Sequence, residues 1–339
     1  MDFIFLVIVF FIAFTSEQNQ DYNNQQLSIQ TTSNLQVIAV IFVMMHHLSQ
    51  GLSEYPDSFL ASRLVVVGRL AVGLFFFISG YGLTKQYKKK GNLYLNTFLQ
   101  KKILSILIPF ILAMIVYLIY RNIIGEFSLS NAIFSLINGS PIVPTGWFAL
   151  MIIYLYMTFF ISAIISRKND LVLIVLLILS VIISIVLAKR LNYGEWWTNA
   201  VFCFPLGVVW STKEKQITDF LFRQYRKSAL AFAILFSSFF YLDELSYSPV
   251  IRSLSVLFFV SLAMFISYKI TFKNWIYQYI KIVSFELYLY QGLFIRFFRS
   301  DILSIDNRLL YVCLVILATT VLAFAMQQIA KIIGSLLLR

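Results

Sequence analysis

The chain has 339 residues, of which 60% are hydrophobic and 12% are charged, and its formal net charge is +12. One globular core cannot bury this much apolar surface, so the composition excludes a water-soluble globular protein and indicates a polytopic membrane protein. Backbone amides inside lipid must be hydrogen-bonded within their own segment, and the long apolar runs exclude the alternating strands of a β-barrel. We therefore predict an all-α transmembrane helical bundle. The basic residues lie in short loops, which is a topology signal, and no nucleic-acid partner is expected.

The N-terminal region differs from the rest of the chain. Residues 3–14 are apolar, and the polar stretch SEQNQDYNNQQ that follows them is typical of a flexible connector. The apolar segment lacks the basic start of a secretory signal and is short for a membrane span, so its disposition stays open. We therefore treat residues 1–33 as an extra N-terminal hydrophobic segment with a connector, and residues 34–339 as a transmembrane domain.

After the connector, apolar runs predict about ten transmembrane helices. They lie near 33–50, 64–84, 103–120, 146–166, 170–188, 197–211, 228–242, 253–268, 282–298 and 308–336. The connecting loops alternate between two sides, and the side that includes the C-terminus holds most of the 27 lysines and arginines. Cytoplasmic loops carry such an excess, so we predict a multi-pass plasma-membrane protein with a cytoplasmic C-terminus.

The first predicted helix contains LQVIAVIFVMMHHL at 35–48, which ends in the only two histidines of the chain. Gln36 precedes His47 by eleven residues, or roughly 16 Å along a helix. A neutral imidazole at this depth can act as a general base, although a histidine bonded to a loop carbonyl is the simpler explanation for a single residue. Adjacent helical residues point about 100° apart, so we expect only His47 to face a site and His46 to have an orienting role.

Arg69 interrupts the apolar run of the second predicted helix, LVVVGRLAVGLFFFISGYGL. The predicted topology places it at a depth similar to that of His47, on a neighbouring antiparallel helix. A cation placed there can hold an anionic group or stabilise the oxyanion that develops during acyl transfer. The alternative is an anchor whose charged head reaches the outer leaflet.

Four further side chains are candidates for substrate binding. Tyr81 lies among phenylalanines and small residues, for which close helix packing is the first explanation. Trp147 begins the fourth predicted helix and is either an aromatic-belt anchor or a platform on which a sugar stacks. Glu286 and Gln291 lie in an otherwise apolar helix, where they bind substrate or form hydrogen bonds within the packing.

Lys101 and Lys102 follow the second helix in a basic cluster. Topology and lipid headgroups explain this cluster best, and a phosphorylated cofactor such as coenzyme A is also attracted to it. The sequence contains no metal-ligand cluster, glycine-rich phosphate loop or serine elbow, so we expect chemistry without a metal or a covalent serine.

Six motifs follow one another along the chain: 35–47, 72–81 (VGLFFFISGY), 101–110 (KKILSILIPF), 146–148 (GWF), 204–208 (FPLGV) and 284–291 (SFELYLYQ). In this order they resemble the membrane-bound acyltransferase-3 family. The resemblance runs from about residue 34 to the end of the chain and implies an integral membrane O-acyltransferase. Such an enzyme typically moves an acetyl group from cytoplasmic acetyl-CoA to a sugar of a surface polysaccharide or its lipid-linked precursor.

The resemblance also implies roles for individual residues. His47 matches the catalytic histidine of the family, whereas Gln36 stands where the family has Arg or Lys, and Gln291 where many members have His. We expect His47 and Arg69 to be catalytic. Acetyl-CoA is the expected donor, and membrane lipids and other polysaccharide-assembly proteins are expected partners. The residues expected to bind the donor are Lys101, Lys102 and Gln36, and those expected to bind the acceptor are Trp147, Tyr81, Glu286 and Gln291.

Two other functions fit the same sequence. A polar cavity in a bundle of about ten helices also suits a transporter or flippase for a lipid-linked sugar, although no inverted repeat is visible. Because Gln36 and Gln291 depart from the family pattern, a catalytically silent member acting as an assembly subunit is the other alternative.

Overall fold

The computed structural model describes residues 8–10, 12–18, 27–52, 64 and 66–337. Parts of the predicted N-terminal segment, of the connector and of the loop after the first helix lie outside these residues. The α-helices are α1 Ile29–Gly51, α2 Val67–Lys90, α3 Asn92–Asn96, α4 Leu104–Ile123, α5 Leu129–Ile137, α6 Gly146–Ser166, α7 Asp170–Arg190, α8 Cys203–Arg223, α9 Tyr225–Ser246, α10 Pro249–Ser267, α11 Trp275–Ile282, α12 Ser284–Phe297 and α13 Arg308–Leu337.

The predicted all-α transmembrane bundle is confirmed. Each predicted helix has a counterpart, and within the described residues eight helices are long and apolar enough to cross a membrane. The other two counterparts are α8, which is kinked at Lys213, and α12, which has 14 residues. The clearest boundary differences are at α8, which begins six residues and ends twelve residues later than predicted, and at α2, which continues through its lysines until Gly91 adopts a positive φ of 57°.

Short elements that the sequence analysis did not predict complete the fold. Strand β1, Ser16–Gln18, pairs antiparallel with β2, Ile270–Phe272, with Ser16 opposite Phe272. Ile12 packs with Val37 and Ile38 of α1, so the described part of the N-terminal segment packs against the bundle. The sequence did not predict β1 because its three residues are all polar and show no alternating pattern. The strand they pair with lies more than 250 positions away in the sequence.

Helix α5 lies in a stretch that we predicted only as a loop. Its apolar side chains Leu129, Ile133, Phe134 and Ile137 are all exposed, and their spacing puts them on one face of the helix. A short helix with one apolar face typically lies at the membrane interface. Hydropathy over a span-length window does not detect so short an element.

Helix α2 lies at the centre of the bundle. Its most apolar window is 72% buried, the highest fraction among the candidate spans. A Cβ atom on Gly80 would overlap the carbonyl oxygen of Phe204 in α8, and one on Gly207 would overlap the carbonyl oxygen of Phe77 in α2. The two helices therefore meet backbone to backbone, as small residues allow in membranes. The packing explanation for the small residues around Tyr81 is thus supported.

Replacing Gly80 with leucine should destabilise the protein, because the new side chain has to displace the backbone of α8. Overpacking costs about 1–3 kcal/mol in ordinary cores, and a clash with backbone belongs at the upper end of that range. Gly82 is the matched control, since a Cβ there has no neighbouring atom within 4 Å. Thermal unfolding of purified protein in detergent measures the difference. Equal midpoints for Gly80→Leu and Gly82→Leu would contradict the close contact.

Candidate active site

A cavity of about 690 Å³ opens at one end of the bundle. It lies where α1, α4 and α12 end and where α2 and α6 begin, which is the end opposite the lysine-rich loops that follow α2 and α6. Its lining brings together four residues singled out from the sequence: His46, His47, Arg69 and Trp147. The helix that carries the two histidines and the helix interrupted by an arginine therefore meet in one cavity.

Both histidines line this cavity, so the prediction that only His47 faces it is wrong. The lining face of α1 comprises Val43, His46, His47, Gln50 and Gly51. This spacing of three and four residues covers a stripe wide enough to include two adjacent positions. The two imidazole rings lie with their centroids 4.7 Å apart. Position 46 also has room for its ring, because the neighbouring residue of α2 is a glycine, Gly68, at which a Cβ would overlap that ring.

Gln50 holds the ring of His47 in one orientation. Nδ1 of His47 lies 3.0 Å from Oε1 of Gln50, one turn further along α1. If the ring donates its Nδ1 proton to this oxygen, Nε2 keeps the lone pair that a general base needs. Gln50 was not among the predicted site residues, although its position three residues after His47 places it on the same helix face.

Arg69 is fixed by a buried carboxylate. Its Nη1 lies 2.6 Å from Oδ2 of Asp243, which is only 2% exposed, and Nε of Arg252 lies 3.0 Å from the other carboxylate oxygen. Arg252 also pairs with Glu195. Within the described part of the chain, the buried Nε of Arg69 has no hydrogen-bond partner. The guanidinium is thus held inside the bundle by its ion pair, and its Nε–H is buried.

Asp243 is a residue that the sequence analysis misplaced. The predicted helix near 228–242 ends before it, so the sequence analysis left Asp243 outside the helices. Helix α9 instead continues to Ser246, and this last turn directs Asp243 towards α2 and α10. One signal in the sequence could have found it. A buried arginine such as Arg69 needs an acidic partner, and Asp243 is an acidic residue at the same end of the predicted bundle.

Aromatic side chains form another wall of the cavity. Trp147 lies at the start of α6, with its ring centroid 6.1 Å from that of Trp197. Nε1 of Trp197 donates to the carbonyl oxygen of Gly139 at 3.2 Å, which ties this wall to the loop before α6. Trp196 also lines the cavity and is 55% exposed. Flat, partly exposed rings of this kind suit either stacking on a sugar or contact with the membrane interface.

The loop before α6 is locked to α12 by two reciprocal hydrogen bonds. Tyr288 donates its hydroxyl to the carbonyl oxygen of Thr145 at 2.9 Å, and Thr145 donates its hydroxyl to the carbonyl oxygen of Tyr288 at 3.2 Å. Both residues line the cavity. Its floor is therefore built from α12 even though α12 is too short to count as a candidate span.

Three of the predicted acceptor-binding residues lie outside the cavity lining. Tyr81 donates its hydroxyl to Oε1 of buried Glu214 at 2.7 Å, and Glu214 also pairs with Lys85. Gln291 is buried on α12 and donates from Nε2 to the carbonyl oxygen of Tyr288 at 3.1 Å. Glu286, five residues earlier on α12, is 6% exposed. Their predicted contact with an acceptor remains a prediction.

The predicted donor-binding residues also lie apart from the cavity. Lys101 and Lys102 belong to a π-helical turn, Leu99–Ile103, at the beginning of α4, whereas the cavity lies at the end of that helix. The separation is roughly 30 Å along the helix axis. Gln36 lies on α1 roughly 16 Å before His47 and does not line the cavity. Among the described residues, no three His, Cys, Asp or Glu side chains gather as a possible metal site.

Two cavity residues were missed as site residues and counted only as topology charges. Arg121 ends α4 and Arg296 ends α12, and both line the cavity. The alignment of helix ends that placed His47 beside Arg69 also places these two arginines at the same end of the bundle. The sequence of each helix taken alone does not show that these arginines face the inside of the bundle.

Comparison with known proteins gives one match. The family model described as an acyltransferase domain, of the acyltransferase-3 type, matches residues 33–327. A search of curated proteins and a search of solved structures found no significant match.

Neutralising the buried carboxylate should loosen the bundle. In Asp243→Asn, the two arginines lose the charge that holds them together, and breaking a buried ion pair costs about 3–5 kcal/mol. An exposed aspartate gives the control, because Asp301→Asn makes the same substitution away from the buried pair. Thermal unfolding in detergent should show a lower midpoint for Asp243→Asn only. If both variants unfold like the wild type, the ion pair does not stabilise the fold.

Proposed function

Since the chain belongs to the acyltransferase-3 family of membrane acyltransferases, we propose that it transfers acetyl from acetyl-CoA to a hydroxyl group of a cell-surface polysaccharide or its lipid-linked precursor. The observation that carries this proposal is the position of His47 in a polar cavity beside Arg69, with Nδ1 within hydrogen-bond distance of Gln50. The proposed location is the plasma membrane, with the C-terminus in the cytoplasm.

The proposed reaction is direct transfer. Nε2 of His47 takes the proton of the acceptor hydroxyl while the oxygen attacks the thioester carbonyl carbon. The positive charge of Arg69, which lines the same cavity, stabilises the negative charge that develops on the carbonyl oxygen. The carbon–sulfur bond then breaks, and the coenzyme A thiolate leaves and takes the proton from His47. No net proton is gained or lost by the protein.

The proposed donor path runs through the length of the bundle. Lys101 and Lys102 lie at the opposite end of α4 from the cavity, where phosphate groups from the cytoplasm first meet positive charge. A donor held there has to extend between helices for its thioester to reach His47. Gln36 lies part of the way along α1 and offers a hydrogen-bonding side chain in place of a cation.

Replacing His47 with alanine should reduce transfer by roughly 10²–10⁴-fold, because the reaction loses its general base. The measurement is the O-acetyl content of the host's surface polysaccharide by proton NMR, at matched membrane expression of wild type and variant. Gln328→Ala, an exposed position on α13, is the control for substitution alone. Normal acetylation with His47→Ala would rule out this residue as the base.

Purified protein separates the proposed enzyme from its two alternatives. Wild-type protein in detergent should move labelled acetyl from acetyl-CoA to the extracted acceptor, which a flippase or a silent subunit does not do. Gln36→Arg restores the basic residue typical of the family, and we expect it to change the apparent affinity for acetyl-CoA. An inactive wild type that gains activity with Gln36→Arg would support the silent-subunit alternative and contradict the proposal.

A further inference from the structure

The cavity has a strongly cationic lining. Arg69, Arg121 and Arg296 line it together with both histidines, and no aspartate or glutamate lines it within the described residues. A guanidinium binds phosphate or carboxylate through two parallel hydrogen bonds, and it is always charged. The positive charge of the residues that line the cavity therefore favours an anionic ligand.

The three arginines differ in how their charges are balanced. Arg69, with Arg252 behind it, is balanced by Asp243 and Glu195. Arg121 donates from Nη2 to the carbonyl oxygen of Ile142 at 3.2 Å, which orients the group without neutralising it. In the part of the chain that the structure covers, neither Arg121 nor Arg296 has a carboxylate within 4 Å. Two positive charges of the lining are thus left for a bound molecule to balance.

These two arginines lie in the last turns of two neighbouring helices, α4 and α12. Tyr288, Gly292 and Arg296 follow one another at four-residue spacing on the face of α12 that lines the cavity. On α4, Tyr117 lies one turn before Arg121, and a Cβ on Gly292 would come within 3.0 Å of the Tyr117 hydroxyl. This hydroxyl also donates to the carbonyl oxygen of Leu289 in α12 at 3.2 Å. The close contact at Gly292 therefore brings the ends of α4 and α12 together at the cavity.

The space beside the arginines suits a sugar. A volume of about 690 Å³ lies within the usual range for small-ligand sites, and Trp147 and Trp196 offer ring faces on which a sugar can stack. We propose that the acceptor is an acidic sugar residue, which Arg121 and Arg296 hold by its carboxylate or phosphate while a hydroxyl of the same residue faces His47. The inference deepens the proposed function and rests on it for the role of the bound sugar.

The first experiment measures binding without a donor, so that it does not depend on transfer. Purified full-length protein is titrated with a short oligogalacturonate and with its carboxyl-reduced, neutral counterpart, and with glucose 1-phosphate and glucose. Isothermal titration calorimetry should show binding of at least one acidic probe about tenfold or more tighter than that of its neutral partner. Equal binding within both pairs would overturn the proposal.

Paired variants then locate the preference. Arg121→Gln with Arg296→Gln should abolish the difference between acidic and neutral probes, whereas Arg121→Lys with Arg296→Lys should keep part of it. The control is Lys189→Gln with Arg190→Gln, which removes the same charge from the same end of the bundle but outside the cavity lining. A control that loses the preference equally would overturn the proposal, because general surface charge would then explain it.

Other sources of anion give different results. If the arginines hold the donor phosphates, the glutamine pair raises the KM for acetyl-CoA and leaves the acceptor preference intact. If they hold lipid headgroups, the variant loses co-purified anionic lipid by native mass spectrometry and the sugar preference stays. Either outcome overturns the proposal. Tight acidic-probe binding without any transfer supports the anionic site and counts against the proposed function alone.

Discussion

The backbone contact between α2 and α8 is the constraint on which the rest of the structure depends. At Gly80 and Gly207 the two helices approach so closely that neither position has room for a side chain. This contact fixes α2 in the centre of the bundle. α2 in turn carries Gly68 and Arg69 to the cavity, where they meet the end of α1. A packing motif in the middle of the membrane thus sets the position of polar groups at one end.

The sequence predicted the elements that depend on hydropathy and length. The ten apolar runs form helices because backbone N–H and C=O groups in lipid must be hydrogen-bonded within their own segment. The distribution of lysines and arginines between the loops gave the direction of each helix, which placed His47 beside Arg69. The sequence did not predict side-chain contacts that depend on how neighbouring helices are rotated about their axes. Asp243 belonged to no apolar pattern, and the inward direction of Arg121 and Arg296 follows from helix rotation, which loop charges do not specify.

The cavity combines a rigid part with a part whose charge is unbalanced. Asp243 holds Arg69 and Arg252 together, and Thr145 and Tyr288 lock the loop before α6 onto α12. Arg121 and Arg296 lie at the ends of their helices with no such carboxylate in the described structure. A preformed frame with free donors at its edge loses little conformational entropy when a ligand binds.

Helix α5 relates the cavity to the membrane surface. Its exposed apolar face is typical of a helix that lies at the headgroup region, and Ser135 on the same helix lines the cavity. We therefore expect the mouth of the cavity to lie near the level of the lipid headgroups. For the lipid-linked acceptor proposed above, a mouth at this height would set which sugar residue of the chain meets the histidines.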